Sequence, residues 1–148
     1  MKIAVGSDHG GYELKESIKE LFERRNIEYS DFGTFNTDSV DYPDFAQKVT
    51  SAVISGGYDR GILCCGTGIG ISMAANKAPG IRAALCGDCY SAKMSRLHND
   101  ANVLCMGGRV VGTGLALEIV NTWLQTEFEG GRHQRRVDKI TGIEHKHE

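Results

Sequence analysis

Proline is scarce in this chain, 2 in 148 residues, and no Pro-, Gly- or Ser-rich linker, internal repeat or low-complexity segment divides it. An excess of one charge is also missing: 17 Lys+Arg against 19 Asp+Glu leave a net −2. Without a basic surplus, neither a nucleic-acid partner nor an acidic membrane surface is expected. No apolar run is long enough to span a bilayer. Met1-Lys2 leads straight into Ile3-Ala4-Val5, with no apolar stretch before a small-residue cleavage site, so no leader and a cytoplasmic location are expected. The cysteines, 5 in number, are neither dense nor paired like a secreted disulfide scaffold and suit a reducing compartment. Cys86 and Cys89 form a lone CxxC; it lacks a second pair or a spaced His pair for zinc, and it does not open the helix after an early strand as a redox motif does. A Walker motif is absent as well, because no glycine turn ends in Gly-Lys-Ser/Thr.

What is present describes an ordinary globular domain. At 41% hydrophobic and 24% charged residues, a chain of this length buries about two thirds of its unfolded surface and needs no staple. Glycine is abundant, at 19. Apolar β-rich runs alternate with segments of helical period. Lys2–Gly6 reads as a strand, Ser7-Asp8 as an N-cap, and Leu14, Ile18, Leu21 and Phe22 as one helix face ending at Asn26. Ile27–Phe32 is a second, more polar strand. Pro43 opens a helix with Phe45, Val49 and Val53 on one side, and Gly56-Gly57 stops it. Further strands are predicted at Gly61–Cys65, Ile81–Cys86 and Ala101–Met106. Helices are predicted over Ile71–Lys77 and Asp88–Leu97 and around Leu115, Ile119, Val120 and Trp123. The charged segment from Arg132 onward reads as a helix that docks on something. This β/α alternation predicts one α/β domain, a doubly wound parallel sheet with right-handed crossovers.

In such folds ligands bind beyond the carboxyl ends of the strands. The windows to read are therefore Ser7–Gly11, Cys65–Gly70, Gly87-Asp88 and Gly107–Arg109. Gly66-Thr67-Gly68-Ile69-Gly70 places three glycines in five residues, so that amides converge at a helix start and can hold an anion. The dinucleotide fingerprint would need Gly or Ala at position 71, where Ile71 stands, although Asp88 falls at the distance of a ribose-binding acid. Cys65 stands at the mouth of the turn, where amide and helix-dipole fields favour a thiolate. It suits a nucleophile or a general base with an anion hole beside it, set against the plain alternative of a small residue ending a strand. Cys64 points to the opposite face. His9 follows Asp8 on the carboxyl side. His98 precedes the fifth strand, so it would reach such a site only across a subunit boundary; either histidine taken alone reads equally as a surface or core residue. Gly130–Arg136 packs three arginines into five residues, and Arg132 and Arg136, at i and i+4, form a fork suited to phosphate, set against the plain alternative of a solvated charged face.

Ser7-Asp8-His9-Gly10-Gly11, Asp41-Tyr42-Pro43, Cys65–Gly70, Ala74–Lys77, Arg96–Asp100 and Glu129–His133 together resemble the type B ribose-5-phosphate isomerases, essentially end to end. The resemblance implies a Rossmann-like α/β/α sandwich with a five-stranded parallel sheet. It implies a homodimer or dimer of dimers with shared active sites, the segment from about residue 131 docking on the dimer. The implied reaction interconverts ribose 5-phosphate and ribulose 5-phosphate in the pentose phosphate pathway, without metal or organic cofactor. Cys65 is then the base, and the amides of Gly66, Thr67, Gly68, Ile69 and Gly70 face the enediolate. His98 assists ring opening beside Asn99, and Thr67 completes the catalytic set. Asp8 and Thr67 bind sugar hydroxyls, Tyr42 bears on pocket depth, and His9, Arg109, Arg132 and Arg136 surround the phosphate. Some members carry the base as a glutamate a few residues later; Ile71 occupies that position here. Family members that accept allose or allose 6-phosphate make a six-carbon aldose the alternative substrate, whereas the related galactose-6-phosphate isomerases need two different subunits and often lack part of the cysteine–histidine set present here. A nucleotide-binding module and a cysteine-nucleophile enzyme are rivals, and neither accounts for the arginine fork and His98-Asn99 together.

Overall fold

The computed structural model describes residues 1–147. It contains β1 (Lys2–Ser7), α1 (Tyr12–Arg25), β2 (Glu28–Asp31), α2 (Tyr42–Ile54), β3 (Arg60–Cys65), α3 (Ile69–Ala75), β4 (Ala83–Leu85), α4 (Cys89–Leu97), β5 (Val103–Gly107), α5 (Thr113–Gln125) and α6 (Arg132–Glu144), closed by a 3-10 turn at His145–His147. The strands form one parallel sheet in the order β2-β1-β3-β5-β4. Steps from β1 to β2 and from β4 to β5 run one way across the sheet; those from β2 to β3 and from β3 to β4 run the other. Right-handed crossovers therefore put α1 and α4 on one face and α2 and α3 on the opposite face. Burial agrees: Ile3, Val5, Ile62 and Cys64 pack with Leu14, Ile18, Ala92 and Trp123, while Ala4, Leu63, Cys65 and Cys105 pack with Val49, Ile71 and Ala75. No helix among the described residues is long and apolar enough to cross a membrane.

Several boundaries differ from the sequence expectation, each for a local reason. Ser7-Asp8 does not cap α1. Ser7 stays extended because its amide donates to Gly33 O at 2.7 Å and its carbonyl accepts from Thr34 N at 2.7 Å, and the helix begins at Tyr12. β2 is confined to Glu28–Asp31, the residues that pair with β1. β5 starts at Val103 rather than Ala101. Asp100 has φ of +47° and Ala101 N donates back to Ser95 O at 2.9 Å, so the chain is still leaving α4. β4 is shortened with it, since Ala83 pairs with Val103. α3 starts two residues early, directly after left-handed Gly68. The outer edge of β4 is covered by a side chain: Asn76 Nδ2 donates to Ala83 O at 3.0 Å, and Ala83 N donates to Asn76 Oδ1 at 2.8 Å. The segment after residue 131 is helical as expected, but α6 buries only His133 and Val137 and leaves Ile140 and Ile143 exposed.

Candidate active site

The register sets Ser7 beside Cys64, and Cys65 beside Gly107, so the segments leaving β1, β3 and β5 meet at one sheet edge. Backbone bonds join them: Asp8 N donates to Cys64 O (3.2 Å), Gly108 N to Cys65 O (2.9 Å) and Arg109 N to Gly66 O (3.0 Å). This approach requires glycine at position 107, where a Cβ would lie 2.5 Å from the Thr67 carbonyl. Gly68 carries φ of +79°, and a Cβ there would meet Met106 backbone at 2.7 Å. In that conformation Gly68 N donates to Cys65 Sγ at 3.0 Å. Cys65 is buried, whereas the next side chain, Thr67, is exposed and its Oγ1 accepts from Ile69 N at 3.2 Å. The turn thus presents a sulfur held by an amide at its floor, with a hydroxyl and further backbone at its rim.

Other side chains converge on this turn. The Arg109 guanidinium lies 3.1 Å from where a Cβ of Gly66 would stand, and the Tyr42 ring 2.6 Å from that of Gly70. Asp8 is buried, its Oδ1 accepting from Gly11 N at 3.1 Å. His9 Nδ1 accepts from Val40 N at 3.2 Å, which fixes this ring against the loop before α2. Asp8, His9, Val40 and Tyr42 line an open cleft of about 490 Å³. Lys15 steadies that loop from below: fully buried, it donates to Asp31 Oδ1 at 2.7 Å and Oδ2 at 2.8 Å, and also to Thr34 O. Burial pushes the Asp31 carboxyl up, but hydrogen bonds from Lys15, Lys19 and Gly33 N outweigh it and hold the group below its ordinary value.

His98, Asn99, Arg132 and Arg136 form a second cluster elsewhere. His98 closes α4 and so lies at the amino edge of the sheet. β5, five residues long, separates that edge from Gly107 by about 13 Å at the usual rise. The single chain therefore does not bring His98 to Cys65. Beneath His98 lies His133, a residue that sequence reasoning quoted in its motif but gave no role. The two rings stack at a centroid distance of 4.2 Å with planes 14° apart. Burial, then His98, Arg132 and Arg136, lower the His133 pKa against the opposing pull of Glu129.

Among the described residues one grouping has metal-ligating chemistry: His98, Glu129 and His133, with ligand atoms within 4.8 Å of one another. An imidazole binds a metal in its own plane. Two stacked, nearly parallel planes share no nearby point, so this arrangement does not fit an ion. Asp88 caps a helix: its Oδ1 accepts from Ser91 N at 2.6 Å at the start of α4. All five cysteines carry free thiols. Burial raises Cys64 to about 12 and Cys86 to about 11, which leaves both as inert thiols. Lys15, the other residue missed, had a legible signal. It stands three residues before Ile18 and seven before Phe22, on the apolar face of α1.

The family profile described as Ribose/Galactose Isomerase matches residues 3–140. The solved structure of ribose-5-phosphate isomerase B from Clostridium thermocellum is 61% identical, covers 100% of both chains and superposes with a TM-score of 0.99. Ribose-5-phosphate isomerase B of Escherichia coli (strain K12) is 53% identical over 145 residues, 98% of this chain and 97% of its own. The ribose-5-phosphate isomerase B of Mycoplasma genitalium, solved with bound ribulose-5-phosphate, is 43% identical with a TM-score of 0.93, covering 98% of this chain and 97% of that one.

Proposed function

The chain belongs to the ribose/galactose isomerase family, and from that premise we propose that it interconverts ribose 5-phosphate and ribulose 5-phosphate through an enediolate. The observation that carries the reading is Cys65 Sγ, held by Gly68 N at 3.0 Å on the floor of a glycine turn against which Arg109 and Tyr42 pack. In the open-chain aldose, Cys65 takes the C2 proton, and the C2 electron pair makes the enediolate. Amides of the 66–70 turn other than Gly68 N, which holds the sulfur, and Ile69 N, which donates to Thr67 Oγ1, face the oxygens where negative charge develops, together with the Thr67 hydroxyl. The protonated thiol returns its proton to C1 while the hydroxyl proton passes from O2 to O1, so the atoms balance without an outside reductant. Relatives bearing the name ribose-5-phosphate isomerase B, one of them holding ribulose-5-phosphate, support the choice of substrate.

Ring opening precedes this step, and His98 with Asn99 performs it by moving a proton from the anomeric hydroxyl to the ring oxygen. Because His98 lies at the opposite sheet edge from Cys65, each site uses Cys65 of one copy and His98 of another in a homodimer. Asp8 and Tyr42 contact the sugar from the cleft wall; Arg109, Arg132 and Arg136 neutralise the phosphate and His9 donates to it from Nε2. The whole chain is one domain, and α6 lays its exposed Ile140 and Ile143 on the second copy.

The test is ketose formation from ribose 5-phosphate by purified protein in buffer containing EDTA. Turnover is expected. Turnover of allose 6-phosphate with a higher kcat/KM would move the substrate to six carbons on the same machinery. Inactivity toward both sugars would overturn the reading.

A further inference from the structure

His133 is an unusual residue to bury. It is 4% exposed, and among the described residues its Nε2 has no hydrogen-bond partner, the nearest carboxylate oxygen being Glu129 Oε2 at 3.9 Å. A leucine would fill such a position without leaving a polar atom unsatisfied, so a buried imbalance of this kind calls for a reason. The ring stacks on His98 at 4.2 Å and 14°.

The surrounding backbone is built to hold that stack. Arg96 Nε donates to Thr126 O at 3.2 Å and Glu129 N donates to Leu97 O at 3.1 Å, tying the segment after α5 to the end of α4. Gly130 and Gly131, with φ of +70° and +54°, then reverse the chain so that the first turn of α6 passes beneath His98. His133 N donates back to Gly130 O at 3.0 Å, which seats the ring at the second residue of α6.

We propose that His133 is a positioning residue for ring opening: its flat, buried ring fixes the plane of the His98 imidazole. The inference rests on the role given to His98 above. Ring opening moves a proton between two oxygens of one sugar, so the imidazole must keep its plane and tilt through the transfer. His98 closes its helix and is only half-buried. Without the stacked face it is free to turn about its side-chain bonds and presents its nitrogens to the sugar for a smaller share of the time.

The experiment is a double-mutant cycle on ribose 5-phosphate, with folding checked by thermal melts. His133→Leu is expected to lower kcat/KM about tenfold, and His98→Asn about a hundredfold, to the level that spontaneous ring opening sustains. Combining the two should cost no more than about twofold beyond His98→Asn alone, because His133 acts only through His98. His133→Phe, which keeps a flat ring, should recover most of the loss. A double variant about tenfold below His98→Asn, an unimpaired His133→Leu, or a His133→Phe as poor as His133→Leu would each overturn the inference. Should His133→Leu fail to fold, His133→Gln replaces it in the same cycle. A His98→Asn enzyme at full rate would instead overturn the role of His98 itself, and this inference with it.

Discussion

Cys64 and Cys65 are adjacent thiols with opposite environments, and one residue of strand alternation separates them. Cys64 faces α1 and α5 in a sealed core; Cys65 faces α2 and α3 at the strand's end, where Gly68 N reaches its sulfur at 3.0 Å. Cys65→Ala is expected to lower kcat at least about a hundredfold while substrate affinity, read by calorimetry, changes only a few-fold, since the lost interaction belongs to the transition state. A change confined to KM would count against the base role. Cys64→Ala should leave kcat nearly untouched and show its effect in stability alone. The distinction between these two residues was legible in the sequence, because the period of a strand and the glycines after Cys65 both stand in it. The role of His133 was not, for it depends on the end of α4 and the start of α6 meeting in space, and no spacing within either segment encodes that encounter.

At the scale of elements, the loop that forms one wall of the cleft depends on α1 through a buried ion pair. Lys15 is 1% exposed and its Nζ sits 2.7 Å from Asp31 Oδ1; Lys19 approaches Asp31 Oδ2 at 2.8 Å. Asp31→Asn leaves Lys15 buried with a weaker partner and is expected to destabilise the fold by about 3 kcal/mol at pH 7 in urea unfolding. The sign of the pH dependence follows from a carboxyl whose folded pKa is depressed. Its contribution is fully present above the unfolded value of about 3.9 and is lost as pH falls through the folded value. Wild type and Asp31→Asn should therefore differ most near neutrality and converge below about pH 4; a gap that stays constant down to pH 3 would show that the effect is packing alone. The helices and the long apolar strands were readable from their periods. The ends of α1, β4 and β5 were not, because Ser7 is held extended by the residues after β2, and β4 is as long as its pairing with β5 allows.

For the whole molecule, the order β2-β1-β3-β5-β4 sorts the candidate site residues into two clusters. The segments that follow β1, β3 and β5 gather Asp8, Cys65 and Arg109 at one edge, while the segments that precede β5 and follow α5 leave His98 and the Arg132–Arg136 fork at the other. Alternating strands and helices announced a parallel sheet, but not the exchange of β4 and β5, which rests on how far each crossover reaches. If the two clusters complete each other between copies, inactive variants should repair one another. In a mixed dimer of Cys65→Ala and His98→Asn subunits, one site receives both intact residues and the other receives both replacements. Unfolding the two variants together in equal amounts and refolding them makes half the dimers mixed, each with one of its two sites restored. The expected recovery is about a quarter of wild-type specific activity in a closed twofold dimer, measured against each variant refolded alone. Activity no higher than the mean of the separate variants would mean that Cys65 and His98 do not work in one site, and the second copy would lose its place in the reaction.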